Sequence, residues 1–154
     1  MSAPPPGPPL GLRLANTAKI VSGAFDEALG AVGGSRPRWL VLMALRKHPA
    51  ANQRELAAAV GIRAATLTQH LDGMEADGLL TRRRDPRNRR THLVELTEEG
   101  EKAFHRMREA AVEFDRRLHT GLDERDLTCL EGLLDRLSAN VAPPGESNTR
   151  PPVD

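Results

Sequence analysis

The sequence predicts a mainly α-helical fold carrying one small β-hairpin, and three observations predict it. Apolar residues recur at steps of three and four along most of the chain, the periodicity becomes strand-like between residues 79 and 96 around an Asp-Pro turn, and Gly, Pro, Ser, Thr and Asn punctuate the segments at helix-like lengths. At 154 residues, the chain suits one domain with helical extensions. A 39% apolar and 28% charged composition is that of an ordinary soluble protein. One cysteine, Cys129, excludes an internal disulfide, and the first ten residues lack the charged and apolar regions of a signal peptide. The longest apolar run, Trp39 to Leu45, is seven residues against the ~20 needed to cross a bilayer. The expected compartment is the cytoplasm, with no membrane partner.

Pro-rich and polar ends, 1–9 and 142–154, are expected to be disordered tails. A first helix runs from Leu10 to about Ala31, with Leu14, Ala18, Val21, Phe25 and Ala28 on one stripe and Gly33-Gly34 ending it. Ser35 caps a second helix, which Pro37 opens and His48-Pro49 stops near Lys47. Asn52, with Glu55 three residues on, is the reciprocal cap of a short third helix closed by Gly61. A fourth helix, about 64–77, ends at Gly78. Two short helices across a tight glycine-containing turn form a helix-turn-helix pattern. Leu79 to Arg84 and Thr91 to Leu96 then pair as a hairpin, with Asp85-Pro86-Arg87-Asn88 as its turn. Thr97 caps a long helix bearing Phe104, Met107, Ala111, Phe114 and Leu118. Gly121 to Asp123 restarts the chain into a last helix bearing Leu127, Leu130, Leu134, Leu137 and Val141. Such seven-residue repeats suggest coiled-coil-like packing.

The charge is unevenly placed. The stretch RRRDPRNRR, residues 82–90, holds six arginines and one Asp, a local +5, whereas the whole chain carries only +1. Duplex DNA, with one negative charge per ~1.7 Å of axis, is the natural partner for an arginine-rich hairpin beside a helix-turn-helix. On a wheel of the fourth helix, Leu67, Leu71 and Met74 face the core. Ala65, Gln69 and Asp72 point the other way, with Thr66 and Thr68 on the flanks. Arg63, Ala65, Thr66, Thr68 and Gln69 are therefore the candidate major-groove residues, with Gln69 suited to adenine and the methyls of Ala65 and Thr66 to thymine. Arg82, Arg83, Arg84 and Arg87 are candidates for phosphate, and Arg89 and Arg90 for an A·T-rich minor groove. Asp72 accepts from cytosine, orients a nearby arginine or stands clear of the duplex.

Residues 54–100, from RELAAAVGIRAATLTQHLDGM through the Gly78-Leu79-Leu80-Thr81-Arg82 entry and the Asp-Pro turn to the Leu-Thr-Glu-x-Gly exit at 96–100, resemble the winged helix-turn-helix of the MarR family of bacterial transcription regulators. The flanking helices extend the resemblance over about 10–141. It implies a homodimer on a pseudo-palindromic operator, commonly a repressor released by a small ligand. It also implies a wing Asp-x-Arg element whose arginine enters the minor groove. Arg90 stands at the Arg position and Asn88 at the acid, so Asp85 is expected to help support the wing. The resemblance places an aromatic acid or phenol in a crevice that Phe25, Arg38 and Trp39 would line. Dimerisation also follows from the apolar stripes, which exceed what a small winged domain can bury: Leu14, Val21, Phe114, Leu118, Leu127, Leu130, Leu134 and Leu137 are the expected contacts.

The expected organisation is a winged helix-turn-helix domain plus long dimerisation helices. An N-terminal dimerisation helix spans 10–34, the DNA-binding region 35–97 with its wing at about 79–96, and C-terminal dimerisation helices 98–141. No phosphate loop, zinc-protease motif or nucleophile triad is present, so neither enzyme activity nor a cofactor is expected. His105 and His119 lie 14 residues apart, about 21 Å along a helix, and cannot share a metal ion within one chain. The competing classes are a winged-helix module that binds protein, and a thiol or metal sensor acting through the same DNA contacts.

Overall fold

A computed structural model describes residues 7–142, so most of both expected tails, residues 1–6 and 143–154, lies outside the described residues. Among the described residues the elements are α1 (Leu10–Gly30), α2 (Arg36–Lys47), β1 (Ala51–Asn52), α3 (Gln53–Val60), α4 (Ala64–Ala76), β2 (Leu80–Arg84), β3 (His92–Leu96), α5 (Glu98–Leu118) and α6 (Glu124–Val141). This is the mainly helical fold with a hairpin that the periodicity predicts.

Local chemistry sets the boundaries. Ser35 Oγ accepts from the Arg38 amide, and Asn52 and Glu55 form the reciprocal cap: the Glu55 amide donates to Asn52 Oδ1 and the Asn52 amide to Glu55 Oε2, both at 2.9 Å. Gly61 ends α3 in the left-handed region, φ 73°, where a Cβ would be strained. Asp123 and Asp126 cap the start of α6 in the same reciprocal way.

The chain forms two compact units, divided after Phe114. In the first, Leu29, Val41, Leu42, Leu56, Leu67, Leu71, Met74, Leu80 and Val94 are buried to 1% exposure or less. Trp39 stacks on Phe104 at 5.3 Å, with Arg46 over the other ring and paired to Glu101, and Phe25 packs on Phe114 at 5.1 Å. The second unit carries the end of α5 and all of α6, which buries no residue: Leu127 and Leu137 are half-buried, and Leu130, Leu133 and Leu134 are exposed.

The sheet has an extra strand. Its order is β1-β3-β2, all antiparallel, with Ala51 opposite Val94 and Asn52 opposite Leu93. Two residues give no readable alternation, and Asn52 already reads as a helix cap, so β1 leaves no period-two signal in the sequence.

Candidate DNA-binding surface

Leu67, Leu71 and Met74 anchor α4 at 0% exposure, which turns the opposite side outward. Arg63 at its N-cap and Ala65, Thr66 and Gln69 beyond it are exposed. Thr68 differs: it is half-buried, its hydroxyl donates to the Ala64 carbonyl at 3.0 Å, and it accepts from Gln53 Nε2 at 3.3 Å. That hydroxyl ties α4 to α3, so it is already engaged in the turn.

The wing tip is built by its own polar side chains. Asp85 Oδ1 accepts from the Arg87 amide at 2.8 Å and Asn88 Oδ1 from the Arg90 amide at 3.2 Å. The Asp85 amide closes the turn on the Thr91 carbonyl at 2.8 Å. Asp85 and Asn88 thus shape the backbone that carries Arg87 and Arg90, each side chain bonding to a main-chain amide. An amide oxygen serves this purpose as well as a carboxylate, which is why Asn88 can stand at the acid position.

The six arginines are not equivalent, because side chains alternate across a strand. Arg82 lies opposite the buried Val94, on the sheet face that looks toward α4. Its guanidinium donates to Glu75 Oε2 from Nε at 3.0 Å and from Nη2 at 2.6 Å, and Nη2 also reaches Asp72 Oδ1 at 2.6 Å. Arg83, on the other face, pairs with Glu95 at 2.9 Å. These two hydrogen-bonded guanidiniums hold the Glu75 and Glu95 carboxyls below the usual carboxylate range. Arg84, Arg87, Arg89 and Arg90 are exposed, and among the described residues they have no ion-pair partner. The available positive charge is therefore concentrated at the tip.

Two further relationships had no sequence signal. A cavity of about 370 Å³ at the base of the wing is lined by Asn52, Gln53, Arg54, Arg90, Thr91 and His92. It exists because β1 pairs with β3 and brings the start of α3 beside the wing, which adds Arg54 to the surroundings of Arg90. Arg38 reaches across from α2 to the carboxylate of Asp77, the C-cap of α4. A negative side chain at a helix C-terminus is unfavourable, and Arg38 offsets it.

Each of the three expected crevice residues has a partner within the protein. Trp39 is stacked on Phe104, Phe25 rests on Phe114 and Arg38 is paired with Asp77. None of them borders the wing-base cavity or the larger one of about 700 Å³ between the end of α2 and α3, lined by Ala44, Lys47, His48, Leu56, Ala58 and their neighbours.

A helix-turn-helix whose second helix is tied by ion pairs to an arginine-tipped hairpin defines a winged helix-turn-helix protein. Residues 35–92 match the MarR family, and the chain carries a domain of that family there. The transcriptional repressor CouR, solved bound to a 23-mer DNA duplex, is 28% identical, with a TM-score of 0.75 over 84% of this chain and 92% of that one. A MarR-family transcriptional regulator from Rhodococcus sp. RHA1 is 26% identical, with a TM-score of 0.69 over 85% and 91%. The Bordetella bronchiseptica protein BpsR, whose DNA binding is regulated by 6-hydroxynicotinic acid, shares the fold at 23% identity, with a TM-score of 0.75 over 89% and 98%.

Proposed function

We propose that this protein is a homodimeric, sequence-specific DNA-binding transcription repressor of the cytoplasm. The observation that carries the proposal is the pairing of an exposed outer face on α4, Arg63, Ala65, Thr66 and Gln69, with four exposed and unpaired arginines at the wing tip. In this reading α4 enters the major groove, and Arg90, with Arg89 beside it, enters the adjacent minor groove. Arg84 and Arg87 neutralise phosphates. A winged module built to bind protein has no need of that charge. The 28%-identical repressor bound to duplex supports the same assignment.

Residues 35–97 form the DNA-reading region, and 10–34 and 98–141 serve dimerisation. Exposed Leu10, Leu12, Leu14 and Ile20 on α1, and exposed Leu118, Leu130, Leu133 and Leu134 on α5 and α6, support a second copy as the partner that covers them. No helix among the described residues is long and apolar enough to cross a membrane. Release by a small aromatic acid or phenol belongs to the same proposal.

The test is a salt titration of binding to duplex from the protein's own upstream region against an unrelated duplex of equal length. Preference for the upstream duplex, with log affinity falling steeply against log salt, is the expected result. Absence of binding to either duplex at low salt overturns the proposal in favour of a protein partner.

A further inference from the structure

We propose that Arg82 is a positioning residue that fixes the spacing between the reading helix and the wing, and that its charge is not a phosphate contact. The inference rests on the DNA-binding reading above.

Three observations carry it. Arg82 is held at four points: its amide donates to Glu75 Oε1 at 3.1 Å, Nε and Nη2 donate to Glu75 Oε2, and Nη2 donates again to Asp72 Oδ1. Its side chain is 20% exposed, against 50% for Arg83 on the other face of the same strand. The cluster of one guanidinium and two carboxylates is net negative, so a phosphate brought to it would meet repulsion. A planar fork that binds one carboxylate through two nitrogens fixes direction as well as distance, which a flexible ammonium cannot do.

The consequence lies in where the partners stand. Glu75 and Asp72 are on α4, three residues apart and so on neighbouring turns, and Asp72 belongs to the outward side that carries Gln69. Arg82 draws the Asp72 carboxylate toward the wing and offsets part of its charge on a surface meant for DNA. It also makes α4 and β2 one rigid piece. The major-groove and minor-groove contacts are then offered at a set separation before DNA arrives, and selectivity gains from that preorganisation.

The test uses the full-length protein with Arg82→Ala, Glu75→Ala and, as the phosphate-contact control, Arg84→Ala. Without DNA, hydrogen exchange of the wing amides is expected to quicken about tenfold in the first two variants and to stay unchanged in the third. Unchanged exchange in the first two overturns the brace. With DNA, each variant is titrated over salt against a duplex enriched by the wild-type protein from a random library and against its scrambled counterpart. The expected result for Arg82→Ala and Glu75→Ala is a loss of preference of about tenfold at an unaltered salt slope, while Arg84→Ala flattens the slope by about one. A slope flattened by about one in Arg82→Ala, together with tighter binding by Glu75→Ala, would make Arg82 a phosphate contact and overturn the inference. If the wild-type protein enriches no duplex, the DNA-binding reading fails and takes the operator role of Arg82 with it, while the exchange experiment decides the brace on its own.

Discussion

The hydroxyl of Thr97 donates to the carbonyl oxygen of Gly78 at 2.5 Å, joining the start of α5 to the turn that ends α4. Thr97 Oγ1 in turn accepts from the Gly100 amide at 3.0 Å, and the Thr97 amide donates to the Leu79 carbonyl at 3.1 Å. Gly100 is buried against that carbonyl, and a Cβ there would land on the Leu79 oxygen. The Leu-Thr-Glu-x-Gly exit from the wing is thus a docking joint, with Thr97 supplying the bonds and Gly100 the clearance. Gly100→Ala is expected to destabilise the fold by about 2–3 kcal/mol because backbone must shift, and Thr97→Val by about 1–2 kcal/mol. Urea unfolding of the two variants measures both, and a neutral Gly100→Ala would show that the contact relaxes freely.

Arg90 is exposed beside the wing-base cavity, whereas Arg87 lies at the turn itself. Arg90→Ala is expected to weaken operator binding more than Arg87→Ala, by about 1–3 kcal/mol if the guanidinium occupies a groove. Equal small losses in a titration of the two variants would remove the minor-groove role.

Gln69 is the longest exposed amide on the outer side of α4. Gln69→Ala is expected to relax base preference at one position per half-site while leaving the salt slope unaltered. Selection from a randomised duplex pool reads this, and an identical profile for variant and wild type would exclude base reading by Gln69.

Glu75 has its carboxyl pKa lowered by the hydrogen-bonded Arg82 guanidinium. A lowered folded value means that the pair stabilises the wing above the unfolded value of about 4.3 and that this contribution disappears as pH falls through the lower folded value. Wing amides are therefore expected to lose protection at acid pH earlier than the core around Leu71 and Val94. Glu75→Gln should flatten that pH dependence, and an unaltered profile in Glu75→Gln would assign the acid sensitivity to another group.

Leu130 and Leu134 are 46% and 38% exposed on one side of α6. Leu130→Glu with Leu134→Glu is expected to yield a monomer by light scattering that keeps its helix content and loses operator affinity. A variant that stays dimeric would move the dimer contact elsewhere.

Much of the fold was written locally. The caps at Ser35, Asn52, Thr97 and Asp123, the glycine stop at Gly61 and the Asp85-Pro86 turn each act within a few residues of themselves, so their chemistry could be read in order along the chain. The stripe Leu67, Leu71, Met74 likewise fixed which side of α4 is buried, because helical periodicity alone sets it. By itself, then, the sequence determined the order and kind of elements, the outward face of α4 and the concentration of arginine on one hairpin. Tertiary structure decided how that charge is used. Tertiary packing put Arg82 against Glu75 and Asp72 and Arg83 against Glu95, which leaves Arg84, Arg87, Arg89 and Arg90 as the wing arginines without an ion-pair partner among the described residues, and the two-residue strand β1 brought Arg54 beside Arg90. Arg38 and Asp77, 39 residues apart, met only when α2 packed beside α4. Partners so distant in sequence leave no periodic trace, since their pairing depends on where whole elements pack and not on the residues next to them.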